Sequence, residues 1–556
     1  MPTTPQVNFN FKNENVQASV PQLGISHFLA RTTKGPFNDP SLVLTSYPQF
    51  QRVFGEEVVP DGTISNIKKA FAMGSKIRVS RVAGSAHSYG NATNIGGDTQ
   101  PEFTFTTPGG DVKFKVRTKE EGSKIEGKDK IYFSFAKTTQ GTKTVITLNQ
   151  YLEADTQEGK VVDDSLFAST PFIAWGNGYI DWKMLQNFIA TVPNIVIDLT
   201  SWGYGKDIYS VVQYLSLHPE GDITNDTSLT SSAYELDKGN DGGVSTADTW
   251  KEAYMAIAEY NDAYAIYLSH VHQHLPDDYQ KVYKGIADLV KVAYEAKLMV
   301  ELPKPIEGTS LENYLKALLT LISTVGQHKL ICYYGGGIKY YDEMGVIRDC
   351  DVMGTVAGLA DTCASQFGPW YSPAGPNRGL VFDALGPVMK NLGGSAMLPE
   401  LQKFADLYMN LFVIKDTQYA GKRTMLWHNF TSNPISDSEK FISIVNLNLY
   451  LKKNLRPIIE SEIENPNTFS TWKNIWYKVK PILEDLVNRN AMIDPQWLGD
   501  QNATKYEDLQ INNEADVRQG KYRVKLTYKD IVTLQEVTLD IIITQADQSI
   551  SITSNE

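Results

Sequence analysis

The spacing of hydrophobic positions changes three times along the chain. At the start, Val7, Phe9 and Phe11 alternate with polar residues, and alternation resumes over residues 16–20. That period of two predicts one or two short strands with no partner nearby in sequence. Residues 23–30 read as a strand of small residues, followed by turns at Gly35-Pro36 and Asp39-Pro40. A short strand over 42–44 and a short helix over 47–54, stopped by Gly55, come next. Ile64, Ile67, Ala70 and Phe71 recur at helical spacing, which predicts a helix over 63–73 before a strand over 77–82.

From residue 91 to about 248 the chain becomes rich in Gly, Thr, Asn and Lys. Strand-like runs at 103–106, 112–116, 131–135 and 144–148 alternate with turns such as Pro108-Gly109-Gly110-Asp111 and Gln140-Gly141. This is a hairpin rhythm. A helix is predicted over 182–190, and strands over 195–199 and 208–214. The stretch reads as a mostly-β domain inserted into another domain, and its Lys-rich part, 113–130, as a solvated hairpin surface.

After Ser245 strands and helices alternate. Buried-type strands are predicted over 264–269, 298–302 and 330–334, with amphipathic helices over 279–297 and 311–326 between them. Strands separated by such helices are most simply parallel and covered by them, an α/β layer completed by residues 22–83. The last third is different again. A long helical stretch over 438–464 contains Pro457, which kinks or splits it, and a second helix covers 472–489. Alternating strands follow over 521–528 and 536–544, the second carrying Val537, Leu539, Ile541 and Ile543 on one face. The polar tail after them contains Ile550 and Ile552.

Composition narrows the function. The 556 residues are 42% hydrophobic, enough for several packed cores, and 52 basic against 64 acidic side chains give a net charge of −12. An acidic chain repels a phosphate backbone, so direct nucleic-acid binding is not expected. Three cysteines (Cys332, Cys350, Cys363) make no disulfide framework and predict buried packing thiols and folding in a reducing compartment. No basic-then-apolar leader opens the sequence, and no apolar run approaches the ~20 residues of a membrane span. A chain made in the cytoplasm, without membrane insertion, is expected.

Catalytic motifs are sparse. Gly335-Gly336-Gly337-Ile338-Lys339 follows a predicted strand but lacks the spacing and hydroxyl of a phosphate loop, and there is no Gly-x-Ser-x-Gly elbow. His270-x-His272-x-His274, at a predicted strand end, is the best metal candidate, because alternate residues of a strand share a face. A polar strand end explains the same pattern. Asp351, Asp361 and Asp383 are scattered, with nothing to pair them as acid and base. No enzyme, cofactor or firm metal site is expected.

The pieces nevertheless occur in a familiar order. Residues 24–82 resemble the opening of a contractile bacteriophage tail sheath protein. The likeness lies in a small-residue strand, Thr32-Thr33-Lys34-Gly35-Pro36, a Pro40-x-x-Val43 segment, residues 50–55, and a helix before Ile77-Arg78-Val79-Ser80-Arg81-Val82. Leu236-Asp237-Lys238-Gly239-Asn240-Asp241-Gly242 is similar to the turn that closes the family's inserted domain. Ala357-Gly358-Leu359-Ala360-Asp361, followed by Gly368-Pro369-Trp370-Tyr371-Ser372-Pro373-Ala374-Gly375, resembles the family's strongest signature. Tyr419-Ala420-Gly421-Lys422-Arg423-Thr424 and Glu464-Asn465-Pro466-Asn467 with Trp472 follow in the family's order. The likeness covers about 20–83 and 236–545. Asn446-Leu447-Asn448-Leu449 stand where the family carries a pair of arginines, and the first residues lack its commonest opening.

The resemblance implies a structural subunit with an α/β plus α+β fold in several parts. An N-terminal linking arm (1–20) would precede a discontinuous α/β core (21–90 and 249–415) that carries the inserted mostly-β outer domain (91–248). A C-terminal sheath domain (416–545) would face the tube, and a second arm (546–556) would follow, with Val7, Phe9, Phe11, Val537, Leu539, Ile541, Ile543, Ile550 and Ile552 as the inter-subunit strands. Partners would be other copies of the chain in stacked hexameric rings, the inner tail tube, and baseplate and tail terminator or neck proteins. The assembly would form in the host bacterial cytoplasm and belong to the virion. A sheath from a phage-derived bacteriocin or an extracellular contractile injection system is the neighbouring reading. An α/β NTPase or hydrolase is the remote one.

Overall fold

The computed structural model describes residues 25–532, apart from 38–39, 60–62, 85, 96–98, 122–129, 153–155, 158–159, 162–165, 238, 294, 307–308, 343, 390–397 and 418–420. Both predicted arms, with Val7, Phe9, Phe11, Ile550 and Ile552, lie outside the described residues, as does the predicted strand of Val537, Leu539, Ile541 and Ile543. Two compact units are present, one through Pro457 and one from Ile458. The division falls inside the helix Ile442–Glu460, at its internal proline. Residues 416–457, placed by the sequence with the C-terminal domain, belong to the first unit.

An eight-stranded sheet organises part of the first unit. Its order is Lys76–Arg81, Ile25–Ala30, Ala265–Leu268, Lys297–Glu301, Ile331–Gly335, Met409–Thr417, Gly421–Leu426, Leu380–Val381. The first six strands run parallel and the last two antiparallel. Every residue of Ile25–Ala30, Ala265–Leu268, Lys297–Glu301 and Ile331–Gly335 is buried, as parallel strands covered on both faces require. The helices Tyr279–Ala293 and Leu311–Val325 are the crossovers between these strands. The helix Met353–Gln366 lies against Asn66–Ala72 so closely that a Cβ on Gly354 would sit 2.2 Å from the Asn66 carbonyl oxygen, and one on Gly358 2.4 Å from the Met73 Cβ. Only glycine permits that approach. The predicted strand over 42–44 reduces to one bridge, Leu44 with Ile77.

A second sheet is antiparallel throughout. It runs Tyr179–Ile180, Leu166–Gly176, Lys143–Leu152, Lys130–Gln140, Ala233–Asp237, Ala86–Asn94, Gly110–Glu121, Ile195–Ser201, with Phe103–Thr107 paired to Gly110–Glu121 and Asn240–Gly242 paired to Ala86–Asn94. Its core is aromatic: Phe105, Phe114, Phe135 and Phe188 all surround Phe172, with ring centroids 4.9–5.8 Å from it. The predicted strand over 208–214 is a helix, Ile208–Leu217. Asp207 accepts the Ser210 N–H as an N-cap, and Ile208, Val211, Val212 and Leu215 recur at helical spacing. Its β-branched residues made it look extended.

In the second unit, helix Phe469–Asn488 is followed by Met492–Leu498 and Lys525–Asp530, which pair antiparallel. Trp472 stacks on Tyr522 at 4.7 Å, and its indole N–H donates to Asn467 Oδ1 at 2.7 Å. The Asn467 amide in turn donates to the Val517 and Lys521 carbonyls. The predicted strand over 521–528 begins only at Lys525.

Candidate functional site

At the carboxyl ends of the parallel strands, where open α/β sheets place their sites, the chain buries a cluster of titratable groups. The segment after Ala265–Leu268 turns sharply, with His270 in the left-handed region at φ 54°, and enters a one-turn helix, Val271–His274. That helix corrects the predicted strand end, because its side chains diverge instead of alternating. Glu301 is the last residue of its strand, and Asp351 sits between the strand Ile347–Cys350 and the helix Met353–Gln366. Glu57 enters from the loop after the helix Tyr47–Phe54.

Hydrogen bonds fix most of these groups. His270 Nδ1 lies 2.6 Å from Asp351 Oδ2, and Gln273 Nε2 donates to both oxygens of Asp351 at 3.3 and 3.4 Å. The Val352 N–H donates to Glu301 Oε1 at 2.5 Å. Glu57 accepts from the hydroxyls of Ser65 and Ser269 and from the Ile67 N–H, while the Asn66 side chain donates to Ser269 Oγ and accepts from the Gly354 N–H. Two groups are left over. Neither ring nitrogen of His272 has a hydrogen-bond partner, and neither does Glu301 Oε2, although both side chains are buried. His272 Nε2 stands 3.4 Å from Asp351 Oδ1.

Burial and mutual repulsion divide the two carboxyls. Burial raises Glu301 well above the usual carboxylate range, and the Asp351 charge raises it further. Burial also pushes Asp351 up, but His272 and His270 outweigh it and hold Asp351 low. His270 is raised in spite of its burial because of its bond to Asp351. His274 points elsewhere and is depressed to about 4 by burial. Two of the three histidines singled out in the sequence meet two carboxylates: His270 lies between Asp351 and Glu57, and His272, Glu301 and Asp351 each bring one donor atom within 4.8 Å of the others. Glu57 and Glu301 were missed. The visible signal for Glu301 was a carboxylate inside an otherwise apolar strand run.

The other candidates are structural. The Gly336 N–H is taken by the Tyr314 hydroxyl at 2.7 Å, and a Cβ on Gly335 would meet Met409 at 2.0 Å, so the glycine run serves close packing. The three cysteines are buried, and burial raises Cys332 to about 12 and Cys350 and Cys363 to about 11, leaving them as thiols. Asp361 takes a hydrogen bond from Ser26, and Asp383 pairs with Lys69, both apart from the cluster.

Several of the segments quoted for the family resemblance converge on the eight-stranded sheet, whereas Leu236 and Asn240–Gly242 lie in the antiparallel sheet and Trp472 in the second unit. Gly35, at φ 105°, gives its carbonyl to Arg81 at 2.8 Å, and the Arg81 guanidinium lies over Phe37. Pro36 follows in the same turn. Gly368 turns back over Trp370, which meets Tyr450 edge-on at 5.3 Å. The Pro369 carbonyl accepts from Asn446, one of the residues standing in place of the arginine pair. Cys363 donates to the carbonyl of Ser372, next to Pro373, and the Ala374 N–H donates to the Ser372 hydroxyl. Gly375 donates to the Leu426 carbonyl, on the strand that carries Gly421, Arg423 and Thr424.

No protein-family model matches the chain, and no curated protein matches it either. Solved structures do resemble it. The crystal structure of a sheath tail protein from Listeria innocua aligns over 92% of this chain and 97% of its own, at 10% identity and a TM-score of 0.49. A sheath tail protein from Desulfitobacterium hafniense aligns over 95% of this chain and 100% of its own, at 11% identity and a TM-score of 0.45. The contracted sheath complex of an extracellular contractile injection system aligns over 53% of this chain and 74% of its own, at 13% identity and a TM-score of 0.41. Among the described residues no helix is long and apolar enough to cross a membrane.

Proposed function

We propose that the chain is the sheath subunit of a contractile phage tail, polymerising as stacked hexameric rings around an inner tube and contracting to drive that tube through a host envelope for genome ejection. The observation behind it is the ordered set of sheath-like segments, of which those around Gly35, Gly368 and Gly421, far apart in sequence, meet around one sheet. Head-to-tail contacts between identical subunits that do not close give open helices, which is how a single chain builds a tube. Contraction needs no bound nucleotide when the assembled lattice is metastable. The same subunit chemistry serves a bacteriocin or extracellular injection sheath. Of the two features behind the NTPase or hydrolase reading, the glycine run and the histidine triplet, the first is filled by packing.

In this reading the termini link subunits. Among the described residues, Met492–Leu498 and Lys525–Asp530 pair only with each other, and a two-stranded sheet is marginal alone. Arms 1–20 and 546–556 of neighbouring copies would extend it by strand addition. Residues 91–248 would form the outward domain. Residues 416–545, with 16 Lys and Arg against 19 Asp and Glu over 416–556, would face the tube without a strong charge block.

Negative-stain microscopy of the purified full chain tests the proposal: rings or tubes are expected, and discrete small particles that hydrolyse nucleotide would overturn it. Deleting 1–20 or 546–556 should leave a folded subunit by circular dichroism and abolish tubes. Tubes of normal stability from either truncation would remove the linking role.

A further inference from the structure

We propose that His272, Glu301 and Asp351 form a buried binding site for one Zn²⁺ ion. Three independent features converge on it. The first is the donor set, one imidazole and two carboxylates, with all three donor atoms within 4.8 Å of one another. Mixed nitrogen and oxygen ligands of this kind suit Zn²⁺ and are poor for Mg²⁺ or Ca²⁺, which take oxygen alone.

The second feature is what these donors lack. His272 is 7% exposed and Glu301 2%, yet the imidazole nitrogens and Glu301 Oε2 make no hydrogen bond. Buried polar atoms are almost always paired, so unpaired ones on residues whose donor atoms gather within 4.8 Å mark a missing partner. The distance between His272 Nε2 and Asp351 Oδ1 is 3.4 Å, an ion-pair contact without hydrogen-bond geometry. It matches the spacing of two ligands around a tetrahedral Zn²⁺, about 3.4 Å for bonds of about 2.1 Å.

The third is the outer layer. Glu301 is anchored through Oε1 by the Val352 N–H, leaving Oε2 unpaired, while Asp351 is held at Oδ2 by His270 and at both oxygens by long bonds from Gln273, with Oδ1 also facing His272. Such partners orient ligands in metal sites generally. His272 also lines an open cavity of about 620 Å³ together with Gln273, Lys304 and Asp349, which supplies a path for the ion and room for a water as fourth ligand. Bound there, Zn²⁺ would staple the 269–274 turn, the end of a central strand and the start of the helix Met353–Gln366. The site is independent of the sheath proposal.

The test uses the full chain, stripped with chelator and dialysed to equilibrium against Zn²⁺, with bound metal measured by plasma mass spectrometry. One equivalent is expected for the wild type and for His274→Gln. Glu301→Gln, which preserves the side-chain shape, and His272→Gln should each weaken binding at least about 100-fold. Should a variant fail to fold by circular dichroism, X-ray absorption of the Zn²⁺-loaded wild type decides, with one imidazole and otherwise oxygen ligands expected. No retained metal, equal retention by both variants, or a shell of two or more imidazoles would overturn the assignment.

Discussion

The two large sheets of the first unit treat buried charge in opposite ways. The parallel sheet and its loops enclose His27, Glu57, Arg81, His270, Lys297, Glu301, Asp351 and Asp361. The antiparallel sheet, between Ala86 and Gly242, buries only Thr107, Thr118, Ser134 and Gln150 among the described polar residues, around a core of phenylalanines. Burying an ion costs several kcal/mol unless it is paired in good geometry, and removing one partner is worse than never burying either. Buried charge is therefore concentrated on the parallel sheet and its loops, and aromatic packing on the antiparallel one.

Substitutions can break or sharpen this contrast. Phe172→Ala removes the ring at the centre of the aromatic core and should cost about 3–5 kcal/mol. Hydrogen exchange should then rise across the antiparallel sheet and stay unchanged over Ile25–Ala30 and Ala265–Leu268; equal loosening of both sheets would erase the division.

Asp361 tests the charged side. It is buried, with a hydrogen bond from Ser26 at 2.8 Å, and burial raises it to about 7 from 3.8. A carboxyl raised on folding contributes stability that is full below its unfolded value and lost as pH rises through the folded one. Between about pH 4 and pH 7 the wild type should lose up to about 4 kcal/mol relative to Asp361→Asn, at about 1.4 kcal/mol per pH unit. Denaturant titrations of both proteins across that interval read the difference directly, and parallel curves would show that Asp361 is not shifted.

Gly354→Val should cost about 1–3 kcal/mol or more, because the new side chain meets the Asn66 backbone, which cannot move aside cheaply. The effect should appear as faster exchange in the helices Asn66–Ala72 and Met353–Gln366. Smallest is Lys137→Ala, which removes a half-exposed ion pair with Asp226 at 2.7 Å. Such pairs contribute about 0–1 kcal/mol, so the melting temperature should barely change, and less so in high salt.

The parallel sheet was legible because its strands are continuous apolar runs between amphipathic helices, a pattern with few other solutions. The hairpins were legible through their turns, Pro108-Gly109-Gly110-Asp111 above all. Helix Ile208–Leu217 was misread because Val211 and Val212 suggest extension, while the Asp207 cap that decides the matter is a local bond. The His272 cluster was half legible. A histidine pair after a strand and a carboxylate within an apolar strand were both visible, but only the strand order brings residues 272, 301 and 351 together. Sequence spacing cannot encode that meeting.

The pairing of Asn240–Gly242 with Ala86–Asn94 bears on how the chain reaches its fold. The adjacent strands Ile25–Ala30 and Ala265–Leu268 pair His27 with Ile266, so the closing loop spans about 240 residues, a slow contact to find. Once the antiparallel sheet has folded, Asp241 is already beside His87. The loop that remains is shortened to about 85 residues, a relief of about 1 kcal/mol in closure entropy. On a ribosome the order is enforced: residues up to 242 emerge before the third strand of the parallel sheet exists. The antiparallel sheet then acts as a folding clasp, delivering the returning chain to the edge of a half-built sheet.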